Sequence, residues 1–346
     1  MARGKTLIGV LASHDSRSKN EALSSIFKKW SDTEETKKTL RKFGFVFSGG
    51  TYDRLFNNKP VLYQKVEEVK HSLPESVKDF LLKECGVLCL PRTDQGGVTM
   101  LASLISLRRL SILWPFFSPL TTHLLFPENL ALLRLADQWR VKKLMNSGSV
   151  DEWLSGEAKR DYSLNRREIG EKLKLPGSEL VVDVKQNEGG VYEFVYPEAQ
   201  PPDFLAAKDT ETLDKVLKKS VVALISHDGM KGRMIDFVTD HESELKKFGK
   251  ILATGTTGKI VQDAAPSLKE LIHPYHSGPK GGDVEIATEI LFGGCHVVIF
   301  FVDPLNPHPH TEDIRVVFGA CMIHDQVRML SNEVQARDWM KRLIRE

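Results

Sequence analysis

Short apolar runs alternate along the chain with longer stretches in which apolar residues recur every three or four positions. The runs beginning at Thr6, Phe45, Val221 and Ile251, the stretch after His296, and Val327 to Leu330 read as strands. Glu128 to Trp139, Met230 to His241, Asp283 to Leu291 and Glu333 to Ile344 read as helices, with Leu130, Leu133 and Leu135 as core positions of the first. Pro74 to Phe80 predicts another helix, and Asn165 to Lys172 a short charged one capped by Asn165. Val181 to Val184 and Val191 to Val195, parted by Asn187-Glu188-Gly189-Gly190, predict a β-hairpin. Strands and helices in alternation predict an α/β fold, a mostly parallel sheet covered by helices on both faces. Ligands of such sheets sit at the carboxyl ends of the strands.

The pattern occurs twice. Thr6 to Ser13 runs into His14-Asp15 as Val221 to Ser226 runs into His227-Asp228. Ser48-Gly49-Gly50-Thr51 echoes Thr254-Gly255-Thr256-Thr257. Gly96-Gly97-Val98 echoes Gly281-Gly282-Asp283, and Ser118-Pro119-Leu120 echoes Asp303-Pro304-Leu305. The expectation is a tandem duplication of one α/β unit: residues 1–147, a polar connecting segment 148–214, and residues 215–346. The first copy is longer in its middle. Ser48 to Gly96 spans 48 positions where Thr254 to Gly281 spans 27, which places an insertion around Asn58 to Glu84.

Composition alters this picture little. Of 346 residues 41% are hydrophobic and 27% charged, and the formal net charge of +2 gives no argument for nucleic-acid or membrane binding. The apolar stretch Leu110 to Phe126 contains Pro115, Pro119 and His123 and follows Arg108-Arg109, so it reads as a buried strand and loop. Met1 to Lys5 leads straight into a strand pattern, which predicts no secretory leader and a cytoplasmic protein. Cys85, Cys89, Cys295 and Cys321 lack zinc-ligand spacing and read as packed, reduced thiols.

The chemistry concentrates between Val221 and Asp313. Thr254, Gly255, Thr256 and Thr257 offer hydroxyls and backbone amides at a turn entering a helix, where glycine permits close approach of an anion. With Ser277-Gly278 and the cation Lys231, this turn reads as a phosphate cradle. Asp283 opens a helix, either as its cap or as a catalytic acid/base. Asp313, three residues after His310, is placed to hold that imidazole in one tautomer. Metal binding by His308, His310 and Asp313 is an alternative, and the expectation is no metal.

Four blocks in this order resemble the methylglyoxal synthase family: His227-Asp228-x-x-Lys231, Thr254-Gly255-Thr256-Thr257-Gly258, Ser277-Gly278-Pro279-x-Gly281-Gly282-Asp283, and Asp303-Pro304-Leu305-Asn306 followed by Pro309-His310 and Asp313. The resemblance spans roughly residues 215 to 335. It implies elimination of phosphate from dihydroxyacetone phosphate, with Asp283 as general base and His310, and His227, serving the oxyanion and relaying protons. Lys231, Thr254 to Thr257, Ser277 and Gly278 would hold the phosphate, and Asp228 and Asp303 would orient these groups. It implies no cofactor and a homo-oligomer. The alternative is a phosphate-ligand sensor of the same fold, which needs the cradle but not Asp283, His310 and Asp313. In the first copy Val98 stands for Asp283, Ser118 for Asp303, Leu125 for His310 and Ser18 for Lys231. That copy is expected to be non-catalytic scaffold, with a regulatory anion site at His14, Ser48 to Thr51 and Arg17 or Arg92 as the alternative.

Overall fold

The structure, a computed structural model, describes residues 4–13, 17–57, 72–117, 126–159, 168–174, 181–195, 202, 204, 209–303, 311–324 and 327–343. The chain divides into two compact units, Met1–Leu173 with Val182–Val195, and Lys174–Val181 with Tyr196–Glu346.

The first unit runs β1 (Thr6–Ala12), α1 (Arg17–Trp30), α2 (Glu34–Leu40), β2 (Phe43–Phe47), α3 (Gly49–Phe56), α4 (Glu75–Phe80), β3 (Val87–Cys89), α5 (Gly97–Ser106), β4 (Leu110–Phe116), α6 (Pro127–Gln138), β5 (Lys142–Lys143) and α7 (Ser147–Ser155). Then come β6 (Leu173–Lys174), β7 (Val181–Gln186) and β8 (Tyr192–Val195). The sheet order is β5-β4-β1-β2-β3-β8-β7-β6. Every residue of β2 is buried, as a central strand covered on both faces requires. Phe27, Phe45, Phe47 and Trp114 meet with ring centroids 5.3 to 6.3 Å apart. Each such buried ring contributes about 1.5–3 kcal/mol of transfer free energy.

The hairpin expected from Asn187 to Gly190 forms, with Val184 opposite Phe194 and Gly190 at φ 81°. It is part of the first sheet, because β8 lies parallel against β3. The segment after Ser147 also enters this core, through Val150, Trp153 and Leu154. Asn165 lies outside the described residues, and Glu168 to Lys172 form a turn where a helix was expected. There Ile169 packs against Gly44 and Gly86, while Gly170 lies against the Tyr192 ring. On α6 the buried positions are Asn129, Ala131, Leu132, Leu135 and Ala136, so Leu135 is buried as expected while Leu130 and Leu133 are only partly buried. Leu110 to Phe116 is a strand, and no helix among the described residues is long and apolar enough to cross a membrane. The four cysteines are free, and burial pushes the thiols of Cys85, Cys89 and Cys321 up to about 12, away from nucleophilic use.

The second unit runs α8 (Thr210–Lys218), β9 (Val221–Ser226), α9 (Lys231–Asp240), α10 (Glu242–Leu245), β10 (Lys250–Ala253), α11 (Gly255–Ala264), β11 (Ile272–Pro274), α12 (Gly282–Leu291), β12 (Val297–Phe301), α13 (Thr311–Ile323), β13 (Arg328–Leu330) and α14 (Glu333–Leu343). Its sheet, β11-β10-β9-β12-β13, is parallel throughout. The order matches β3-β2-β1-β4-β5 of the first unit. Met234, Phe237 and Val238 give α9 its buried stripe, and Phe237 meets Phe301 edge-on at 5.5 Å. Helix α12 is buried on all sides, including Asp283, Glu285 and Glu289. A helix buried all round is ordinarily apolar, so three enclosed carboxylates need a reason.

Candidate functional site

Because the second sheet is parallel, the turns after β9, β10, β11 and β12 leave it along one edge. The strand order reverses between β9 and β12, the position where open α/β sheets leave a crevice. A run of direct hydrogen bonds ties the four turns together there. At the β9–β12 junction the Asp303 amide donates to His227 Nδ1 at 2.7 Å. Thr257 Oγ1 accepts the Ser226 amide at 3.3 Å and the Thr254 hydroxyl at 3.1 Å, joining the turns after β9 and β10. The Gly255 amide donates to His276 O at 3.0 Å, joining the turns after β10 and β11.

Each turn has a local cause. Gly281 sits at φ 105°, which L side chains rarely adopt, and a Cβ on Gly282 would lie 1.9 Å from His276 O. These two glycines let α12 begin directly beneath the Ser277-Gly278 turn, with Asp283 in its first turn and 2% exposed. Gly255 lets α11 begin beside the Ser277 amide, which is 3.1 Å from where a Cβ would stand. The starts of both helices thus converge on one turn, and amides at helix starts favour an anion.

His227 is buried, its ring edge-on to Phe300 at 5.1 Å. Since Nδ1 accepts a backbone N–H, the proton of this neutral ring resides on Nε2, making Nε2 a donor. Lys231 opens α9 and pairs with Asp228, whose side chain is 92% exposed. An ion pair that open is worth about 0–1 kcal/mol and is readily exchanged for a stronger anion.

Of the sequence-derived site residues, His227, Thr254, Thr257, Asp283, Asp303 and Asp313 are buried, whereas Asp228 and Thr256 are exposed. Thr257 faces inward as a brace for the end of β9. Asp313 lies in the first turn of α13, and α13 packs against α12. His310, with Pro304 to Pro309, lies outside the described residues. Among the described residues no group of three or more His, Cys, Asp or Glu could hold a metal ion.

Sequence reasoning missed the acids behind the turn. Glu285 accepts His276 Nδ1 at 2.7 Å and the His276 amide at 3.2 Å, and Tyr275 donates its hydroxyl to Glu289 at 2.6 Å. Their signal in the sequence is a pair of glutamates four apart among the apolar residues Val284, Ile286, Ala287, Ile290 and Leu291 of one helix.

The first unit builds the same turns. The Gly49 amide donates to Pro91 O at 3.0 Å, Ser48 and Thr51 hydroxyls meet at 2.9 Å, and Thr51 Oγ1 accepts the Ala12 amide at 3.0 Å. Gly96 is at φ 84°, and a Cβ on Gly97 would lie 1.9 Å from Pro91 O. These bonds set Ser13 where His227 stands, since the Ser13 amide meets Phe116 O as the His227 amide meets Phe301 O. Counted from that register, Arg17 rather than Ser18 stands four residues on, as Lys231 stands four after His227. Val98, 2% exposed, takes the place of Asp283. His14, Asp15, Ser118 and Leu125 lie outside the described residues.

A family model for an MGS-like domain matches residues 233–323. Methylglyoxal synthase of Brucella ovis is 42% identical over 122 residues, 35% of this chain and 94% of that protein, and that of Brucella anthropi matches to the same extent. A crystal structure of methylglyoxal synthase from Elizabethkingia anophelis aligns with 29% identity and a TM-score of 0.31, over 36% of this chain and 78% of that one.

Proposed function

The chain belongs to the methylglyoxal synthase family, and from that premise we propose that its second unit eliminates phosphate from dihydroxyacetone phosphate to give methylglyoxal. The observation that carries this reading is the hydrogen-bonded run joining four turns around a buried carboxylate, Asp283, at a helix start beside an anion-favouring turn.

The phosphate of the substrate lies against the Thr256 and Thr257 amides at the start of α11 and the Ser277 and Gly278 amides, with Lys231 as counter-charge. Asp283 takes a proton from the hydroxymethyl carbon, and the electron pair moves onto the carbonyl oxygen to form an enediolate. His227 Nε2–H donates to that oxygen. A neutral imidazole donor stabilises the charge as it develops without protonating the substrate beforehand. Collapse of the enediolate breaks the carbon–oxygen bond to phosphate. The resulting enol accepts a proton on its terminal carbon and becomes methylglyoxal. His310, ordered by Asp313, relays protons among the oxygens, while Asp303 sets the His227 tautomer and Asp228 keeps Lys231 over the cradle. The step needs no organic cofactor. The first unit, with Val98 where the base stands, carries out no such step, and we place it as a non-catalytic product of tandem duplication.

The test is incubation of the full chain with dihydroxyacetone phosphate while methylglyoxal and inorganic phosphate are followed together. The reading expects equal amounts of both. Binding of the substrate with release of neither product would favour a phosphate-ligand sensor instead.

A further inference from the structure

The two units differ at the wall behind their equivalent turns. In both, the residue after the third strand donates to the end of the second, Leu90 to Phe47 O at 2.9 Å and Tyr275 to Ala253 O at 2.8 Å. In both, the next carbonyl accepts from the glycine that opens a helix, and the glycine pair closes back on the turn, Gly97 to Arg92 O at 3.0 Å and Gly282 to Ser277 O at 3.2 Å. The first unit lines this turn with Leu90, Pro91, Met100 and Leu104. At the same four places the second unit has Tyr275, His276, Glu285 and Glu289. Leu90, Met100 and Leu104 are 2%, 1% and 3% exposed, and Glu285 and Glu289 are 0% and 1%. The backbone turn therefore forms with apolar side chains. Enclosing two carboxylates costs stability even when they are hydrogen-bonded, so the polar set is not there to make the turn.

Its geometry indicates what it does. Both oxygens of Glu285 engage His276, one the backbone amide and one Nδ1, while the His276 carbonyl receives the Gly255 amide. Glu289, one helical turn further on, fixes the hydroxyl of Tyr275. His276 is thus held at its amide, its carbonyl and its ring, immediately before Ser277. Against a carboxylate Nδ1 of His276 is a donor, whereas Nδ1 of His227 is an acceptor.

We propose that His276, gripped by Glu285, is a positioning residue for the anion turn: it sets Ser277-Gly278 against Gly255 so that both helix starts address the same phosphate monoester. The proposal rests on the anion-holding reading above. It differs from the catalytic part of that reading, because it predicts an effect on phosphate affinity whether or not turnover occurs.

The experiment measures binding of inorganic phosphate to the full chain by calorimetry, and kcat and KM for dihydroxyacetone phosphate, in three variants. His276→Leu removes the donor to Glu285 and is expected to weaken phosphate binding about tenfold or more, the size of a lost bond to a charged group. KM should rise by the same factor while kcat stays within about threefold. His276→Asn puts an amide nitrogen near the Nδ1 position, restores the bond to Glu285, and should return affinity to within about threefold of wild type. Glu285→Met, the residue at the matching place of the first unit, removes both acceptors of His276 and should weaken binding in the same direction even if His276→Leu does not fold. Wild-type affinity in His276→Leu or Glu285→Met overturns the proposal, as does an Asn variant no better than Leu. These affinity shifts without any methylglyoxal formation would sink the lyase reading and uphold this one. A wild-type chain that binds no phosphate overturns both.

Discussion

Gly282→Ala adds one methyl group at the closest backbone contact of the site. Its Cβ would stand 1.9 Å from His276 O and 2.8 Å from His276 C, both main-chain atoms without a rotamer to yield. A carbon–oxygen contact settles at about 3.3 Å or more, so the start of α12 and the Ser277 turn must part by about 1.4 Å. Overpacking of this kind costs about 1–3 kcal/mol of stability. Asp283 is the next residue, and a displacement of about 1 Å at a reacting group costs about 10²-fold in rate. Gly97→Ala imposes the same 1.9 Å clash, on Pro91 O, in the first unit. Both variants should lose similar stability by urea unfolding. Assayed with dihydroxyacetone phosphate under conditions where both remain folded, Gly282→Ala should lose about 10²-fold in turnover while Gly97→Ala keeps wild-type turnover. Full turnover in Gly282→Ala would show that the contact does not place Asp283. An equal loss in Gly97→Ala would remove the division of labour between the units.

Lys231→Ala should weaken binding of inorganic phosphate about tenfold by calorimetry, the value of a charge-assisted bond, and unchanged affinity would place the anion elsewhere. Thr257→Val strips the acceptor from the Ser226 amide and the partner from the Thr254 hydroxyl; a loss of about 1–3 kcal/mol is expected in urea unfolding, and no loss would refute its bracing role. Burial lowers the pKa of His241 and of His296 from 6.5. Their contribution is therefore present above pH 6.5 and lost as pH falls from there through the folded values. His241→Phe, replacing a buried ring that packs on Phe237, should flatten the decline of stability below pH 6.5, and an unchanged slope would show that His241 does not titrate on unfolding.

The parallel sheet and the glycine turns were legible because they are set by local signals. A run such as Val221 to Ser226 followed by small residues leaves few alternatives, and Gly281-Gly282 marks a close backbone approach. The braces behind the turn were not legible. Glu285 and Glu289 reach Tyr275 and His276 across a loop, and no periodicity links a helix face to a turn several residues earlier. Comparing the halves could have exposed them, since Met100 and Leu104 stand at the matching places. The same comparison misled at the first strand. His14-Asp15 looks like His227-Asp228, but strand register, which depends on the partner Phe116, makes Ser13 the counterpart of His227. The hairpin was found and its destination missed, because nothing in Tyr192 to Val195 names β3 as its neighbour.

The central claim is that the second unit uses Asp283 as a base and does not merely bind phosphate. Asp283→Asn separates the two in one pair of measurements, methylglyoxal formation from dihydroxyacetone phosphate and calorimetric affinity for inorganic phosphate. The account predicts a fall in turnover on the order of 10²–10⁴ with phosphate bound as tightly as before or more so, since a carboxylate beside a dianion repels it. Wild-type turnover in Asp283→Asn would contradict the account.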